Sequence, residues 1–148
     1  MISYFTKNGG YFSVSTGRTY QGFHKYSPEY INAPVLLANG AVAYDYKEDK
    51  TVFFDGLGDE GINAINKILA EFKDIAVEMY PFNETYAINL TDTSHRHFSS
   101  QGIEYKVCEK PSDSPVPWQK VMLACGDTDP KLVHKFMDEF TPEISYIK

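Results

Sequence analysis

Phe12-Ser13-Val14-Ser15-Thr16-Gly17-Arg18 and Val35-Leu36-Leu37-Ala38-Asn39-Gly40-Ala41 decide how this chain is read. Each begins as a buried strand and stops abruptly at polar and glycine residues. Open α/β sheets place their ligand chemistry at such strand ends. Between the two lies a weakly helical segment around Tyr20-Gln21-Gly22-Phe23-His24. After them comes a hairpin: Val42-Ala43-Tyr44 and Thr51-Val52-Phe53-Phe54 flank the charged turn Lys47-Glu48-Asp49-Lys50.

Gly56-Leu57-Gly58-Asp59 breaks the pattern and reads as a hinge. Beyond it Ile62, Ile65, Ile68, Leu69 and Phe72 share one helical face. Ile75, Val77 and Met79, then Tyr86, Ile88 and Leu90, alternate with smaller or polar residues. That predicts strands with one covered and one exposed face. Thr91 to Gly102 is polar and reads as a short helix, and Glu104 to Cys108 follows it. Pro111-Ser112-Asp113-Ser114-Pro115-Val116-Pro117 is expected to be an exposed loop, since proline supplies no ladder donor. Trp118 to Ala124 reads as a strand, and Trp118 reads as a core or interface residue rather than a stacking platform. Asp129 and Pro130 form a strong helix start, carboxylate cap followed by proline. Ile144 and Tyr146 are expected to begin a last strand. The expected core of this half is Ile65, Leu69, Phe72, Ile88, Leu90, Val121, Leu123, Val133, Phe136 and Phe140. The alternation predicts an α/β chain whose second half is an antiparallel sheet with helices on one face.

At 148 residues and 43% hydrophobic content the chain can bury a real core. The net charge of −6, with no basic cluster, argues against a nucleic-acid or anionic-membrane surface. No apolar run approaches the ~20 residues of a membrane span, and the first residues lack a signal-peptide pattern. Cys108 and Cys125 have neither metal nor redox spacing and are expected to be reduced thiols in a cytoplasmic protein.

Thr16-Gly17-Arg18 is the sharpest chemical candidate. A hydroxyl at a strand end can donate to a phosphoryl oxygen, glycine admits close approach, and a guanidinium can bind two oxygens. A bare Thr-Gly-Arg recurs in many sequences, and taken alone it reads as a capped turn with a solvated arginine rather than as a ligand site. Combined with the downstream Asn39-Gly40-Ala41, the hairpin and the following α/β unit, it resembles the Cof-type sugar-phosphatase branch of the haloacid dehalogenase superfamily. The likeness runs over nearly the whole chain.

That resemblance implies a partial Rossmann-like core at 1–57, holding the second motif and the hairpin. It also implies an α+β cap at 58–148, the substrate-specificity lid. Thr16 matches the hydroxyl that binds the transferring phosphoryl group, with Gly17 beside it. Arg18 matches a position at the substrate entrance, and Asn39 and Gly40 match the family's Asn-Gly-Ala on the substrate side. An amide at Asn39 is read equally as a pocket lining or as a turn former. The family's Asp-x-Asp-Gly-Thr nucleophile motif should precede residue 1, and its Lys and Gly-Asp-x-x-Asn-Asp motifs should follow residue 148. The expectation is therefore a truncated phosphohydrolase of small phosphorylated metabolites such as sugar phosphates, inactive by itself. Magnesium belongs to the intact family enzyme, and none is expected to bind this chain. Self-association through an exposed core edge is a further expectation. The opposing reading is a non-catalytic α/β module that binds a small ligand or a protein.

Two likenesses are rejected. Val52-Phe53-Phe54-Asp55-Gly56 has Phe53 where a nucleophile loop needs its first aspartate, so Asp55 reads as a turn residue. Gly126-Asp127-Thr128-Asp129 is followed by Pro130 and Lys131 where a magnesium motif needs an amide and a carboxylate. His95 and His97 are expected on a solvated surface rather than around a metal.

Overall fold

A computed structural model of the chain describes residues 1–26 and 29–147. They divide into two compact units, Met1–Gly56 and Leu57–Lys148, each described by itself.

In the first unit a short exposed helix, α1 (Ile2–Lys7), precedes the decisive stretch. Residues 12–18 do not form a full strand. They make one parallel bridge, Ser15 to Leu36, through Leu36 N–H to Val14 O and Thr16 N–H to Leu36 O, both 2.9 Å. The physical reason is visible in the side chains. Ser13 and Ser15 are exposed and Val14 is only half-buried, so little apolar surface drives longer pairing. Helix α2 (Tyr20–His24) starts where the Thr19 hydroxyl accepts from Gly22 N–H. Strands β1 (Val35–Leu37), β2 (Val42–Asp45) and β3 (Lys50–Phe54) form an antiparallel meander in that order. Val35, Leu37 and Val42 are fully buried, while β3 leaves Val52 and Phe53 exposed at the sheet edge. The hairpin closes on Asp45, whose carboxylate accepts from Lys47 and Glu48 N–H. The Tyr44 hydroxyl also donates to Asp49, at 2.7 Å. The parallel, Rossmann-like part of this unit is thus the single bridge at Ser15.

The second unit opens with Leu57 and Trp118 exchanging both main-chain hydrogen bonds, at 2.9 and 2.8 Å. Helix α3 (Asp59–Glu71) follows. A Cβ on its Gly61 would lie 2.8 Å from Leu57 Cβ, so only glycine lets the helix pass there. The sheet runs β6-β5-β4-β7, with β4 (Ala76–Tyr80) and β5 (Tyr86–Ile88) at its centre. Helix α4 (Asp92–Gln101) is capped by the Thr91 hydroxyl and stopped by Gly102 in the left-handed region. Strand β6 (Lys106–Val107) adds parallel to β5, and β7 (Lys120–Ala124) pairs antiparallel with β4. Helix α5 (Pro130–Phe140) begins as its sequence predicts, with the Asp129 carboxylate accepting from Lys131 N–H.

One sheet face carries the main core of Ile65, Ile68, Ile75, Val77, Met79, Ile88, Trp118, Val133 and Met137, beneath α3 and α5. The other face packs Tyr80 and Ala87 against Phe98 of α4 and Ile103.

The mixed α/β class therefore stands, while several particulars differ from expectation. The sheet is not covered on one face alone, because α4 covers the second; β4 is buried along its whole length. It is not wholly antiparallel, because β6 joins parallel. Residues 144–147 form no strand: Tyr146 instead donates its hydroxyl to Asp138 at 2.6 Å and stacks on His134. The proline loop is not wholly exposed. Pro111 and Ser114 are buried, because Ser114 Oγ accepts from the Trp118 indole N–H at 3.0 Å. Phe140, expected in the core, is 47% exposed.

Candidate functional site

The fold brings the five sequence-selected residues of the first unit together. Three main-chain bonds tie their two segments: Thr16 N–H to Leu36 O (2.9 Å), Ala38 N–H to Arg18 O (2.8 Å) and Asn39 N–H to Thr16 O (3.1 Å). Within the first segment the Thr16 hydroxyl accepts from Arg18 N–H at 3.2 Å. A hydroxyl that accepts one bond keeps its own proton to donate. The Arg18 guanidinium lies 5.1 Å above the Tyr26 ring, a cation–π contact.

The second segment turns through three consecutive left-handed residues, Ala38, Asn39 and Gly40, at φ 49, 60 and 100°. Glycine suits that region and asparagine tolerates it, but Ala38 is held there against its preference. A side chain at Gly17 would displace the exposed side chain of Asn39. A Cβ at that position would sit 2.7 Å from Asn39 Oδ1. Thr16, Gly17 and Arg18 are half-buried, and Asn39 is exposed.

Behind the site an aromatic group joins α2 to the hairpin, with Tyr20 4.8 Å from Tyr44 and Tyr44 4.9 Å from Tyr46 between ring centres. The buried Tyr46 hydroxyl has no hydrogen-bond partner among the described residues, and burial pushes its pKa up to about 12.

The rejected likenesses fall where local chemistry places them. Asp55 is exposed just past β3, and its N–H donates to Ala41 O across the β2–β3 pair rather than within a turn as expected. Asp129 caps α5. His95 is exposed beside the Tyr105 hydroxyl, but His97 is not the solvated histidine expected. His97 Nδ1 lies 2.7 Å from Glu78, whose other partner is the Tyr80 hydroxyl at 2.5 Å, and Gln101 meets the far side of the imidazole. Burial holds the nearby Lys120 ammonium below its usual pKa, with Glu78 opposing that shift. The only sequence signal for this cluster was a carboxylate inside an otherwise apolar strand. Among the described residues no three His, Cys, Asp or Glu side chains gather as a metal site would require.

The haloacid dehalogenase-like hydrolase family matches residues 1–147. This chain belongs to that family. The superfamily expected from Thr16-Gly17-Arg18 and Asn39-Gly40-Ala41 is thus the one found. Among solved structures, a haloacid dehalogenase-like hydrolase from Bacteroides thetaiotaomicron superposes with a TM-score of 0.76 at 14% identity, over 99% of this chain and 57% of its own. A Thermotoga maritima protein gives 0.67 at 14% identity, over 96% and 53%. A sugar phosphatase of haloacid dehalogenase subclass IIB gives 0.65 at 11% identity, over 79% and 46%. At these identities the likeness establishes the fold. The chain spans about half the length of these structures. No curated protein matches it.

Proposed function

We propose that this chain carries the phosphoryl-binding turn and the cap of a Cof-type phosphohydrolase that acts on small phosphorylated metabolites such as sugar phosphates. The observation that carries the reading is the Thr16 hydroxyl. It stands at the end of the bridged segment, oriented by Arg18 N–H and flanked by main-chain bonds to both sides of the facing turn. In this reading Thr16 donates to an oxygen of the transferring phosphoryl group. Gly17 lets the backbone approach, and Arg18, steadied on Tyr26, meets the substrate at the entrance. Asn39 and Gly40 form the turn beside it. The unit Leu57–Lys148 is the lid that selects the leaving group.

The sequence contains no Asp-x-Asp-Gly-Thr, and this reading gives none of its own residues the part of attacking aspartate. Magnesium would neutralise phosphate charge in the intact enzyme. The partner is a small anionic metabolite rather than nucleic acid, in keeping with a net charge of −6, and the setting is the cytoplasm. The outer edge of the segment around Val14, bridged to β1 at Ser15 and Leu36, is the surface through which copies would self-associate.

The test is hydrolysis of an aryl phosphate with magnesium present. The chain alone should show no turnover. Joined to in-frame flanking residues that carry the aspartate motif, it should turn over, and Thr16→Ala should depress the rate by about 100-fold or more. Turnover by the chain alone, or indifference of the joined enzyme to Thr16→Ala, contradicts the reading.

A further inference from the structure

The exposed, left-handed Asn39 addresses the phosphoryl-binding turn through two different groups. Its main-chain N–H donates to Thr16 O at 3.1 Å. Its side-chain Oδ1 occupies the space beside Gly17, 2.7 Å from where a Cβ would stand. The preceding residue adds a third tie, Ala38 N–H to Arg18 O at 2.8 Å. Strained backbone is therefore concentrated at Ala38 and Asn39, where the turn closes on Thr16-Gly17-Arg18. Positive φ at a non-glycine residue persists only where its surroundings over-determine it. Here those surroundings are the three residues that would meet the phosphoryl group.

We propose that Asn39 is the positioning residue of this site: it touches no ligand itself but holds Gly17 in place and, through it, the direction of the Thr16 hydroxyl. This rests on the reading of Thr16 as the phosphoryl donor and adds to it how the donor is aimed. The chain of contacts is short. Asn39 fixes the main chain at Thr16 and Gly17. That fixes where Arg18 N–H points, and Arg18 N–H holds the Thr16 oxygen at 3.2 Å. The hydroxyl proton is then directed away from the main chain, where an anion can accept it. The Arg18 amide is a built-in reporter, because its exchange with solvent rises when the Thr16 hydroxyl swings away.

The experiment compares the wild type with Asn39→Gly. Glycine keeps the left-handed backbone without strain and removes only the side chain. Amide hydrogen exchange is measured at Arg18 and at Tyr44 in β2, and inorganic phosphate is titrated against the Gly17 and Arg18 amide signals. The expected result is Arg18 exchange about tenfold faster in the variant, phosphate affinity reduced about fivefold or more, and Tyr44 exchange unchanged. Gly17→Ala should reproduce the defect by driving against Asn39 Oδ1, and the double variant should be no worse than Asn39→Gly alone. Unchanged Arg18 exchange and phosphate affinity in Asn39→Gly overturns the positioning role. So does exchange that rises equally at Tyr44, which would mark general loosening. A wild type that gives no phosphate response overturns the Thr16 reading and the purpose assigned to Asn39 with it. That outcome is recognised without any variant.

Discussion

His97 Nδ1 lies 2.7 Å from Oε2 of Glu78, a carboxylate in the central strand of the second unit that is 2% exposed. Glu78 also accepts from the Tyr80 hydroxyl; burial, reinforced by the Glu78 charge, pushes the Tyr80 pKa far above the ordinary phenol. A buried carboxylate is tolerable only while its donors stay in place. Helix α4 is otherwise polar, with Ser94 and Phe98 as its buried residues. The imidazole is thus a principal tie between this helix and the sheet.

His97→Ala is therefore expected to cost about 2–3 kcal/mol, slightly below the usual penalty for orphaning a buried charge because the imidazole is part-exposed. Trp118, the sole tryptophan and fully buried in this unit, reports the loss directly in urea titrations followed by fluorescence. A change below about 0.5 kcal/mol, the size of an ordinary surface substitution, would mean that Glu78 is satisfied without His97.

The core is expected to rank its substitutions by burial rather than by hydrophobic pattern. Ile68, fully buried, should cost about 3–4 kcal/mol on change to alanine. Phe136, half-buried with its ring 5.5 Å from Phe72, should cost about 2 kcal/mol. Phe140, 47% exposed, should cost less than about 1 kcal/mol. The same urea titrations decide the order, and a Phe140→Ala penalty above that of Ile68→Ala would place the core elsewhere.

Much of this arrangement was legible before the structure. Asp129-Pro130 announced α5, the charged turn announced the β2–β3 hairpin, and the spacing of Ile65 and Ile68 announced α3. Thr16, Gly17, Arg18, Asn39 and Gly40 were picked out by type and order, and the structure brings their segments together. What could not be read were tertiary facts. Alternation in β4 suggested one wet face, because a lone Glu78 looks solvent-facing until α4 is laid over it. Phe140 fits the apolar stripe of α5, but the helix ends before the core covers it. The left-handed run at Ala38 could not be inferred, since alanine gives no local signal for positive φ.

Burial of Tyr46 makes an alkaline prediction. Its folded pKa of about 12 stands above the unfolded value near 10. Its contribution to stability is thus complete below pH 10 and is lost as the pH rises through about 12. Tyr46→Phe removes both this loss and an unsatisfied buried hydroxyl. The variant should gain about 1 kcal/mol at neutral pH and lose stability less steeply above pH 10. Thermal unfolding across that range checks it, and a destabilised variant would show that the hydroxyl has a partner.

Cys108 should be a slow nucleophile. Burial, reinforced by Asp113, raises its thiol to about 11, leaving about one thiolate in a thousand at pH 8. Iodoacetamide should therefore alkylate it about 100-fold more slowly in the native protein than in urea. Equal rates would contradict the packing of Cys108 beside the core.

The most direct measurement is a titration of inorganic phosphate into the wild type and Thr16→Val, followed at the main-chain amides of Thr16, Gly17 and Arg18. Valine keeps the shape and removes the hydroxyl. The account predicts saturable shifts confined to these amides and their neighbours at Ala38 and Asn39, weakened about tenfold or more in Thr16→Val. Shifts of equal affinity in both proteins, or none at this turn in the wild type, would contradict the assignment of Thr16 as the phosphoryl-binding residue.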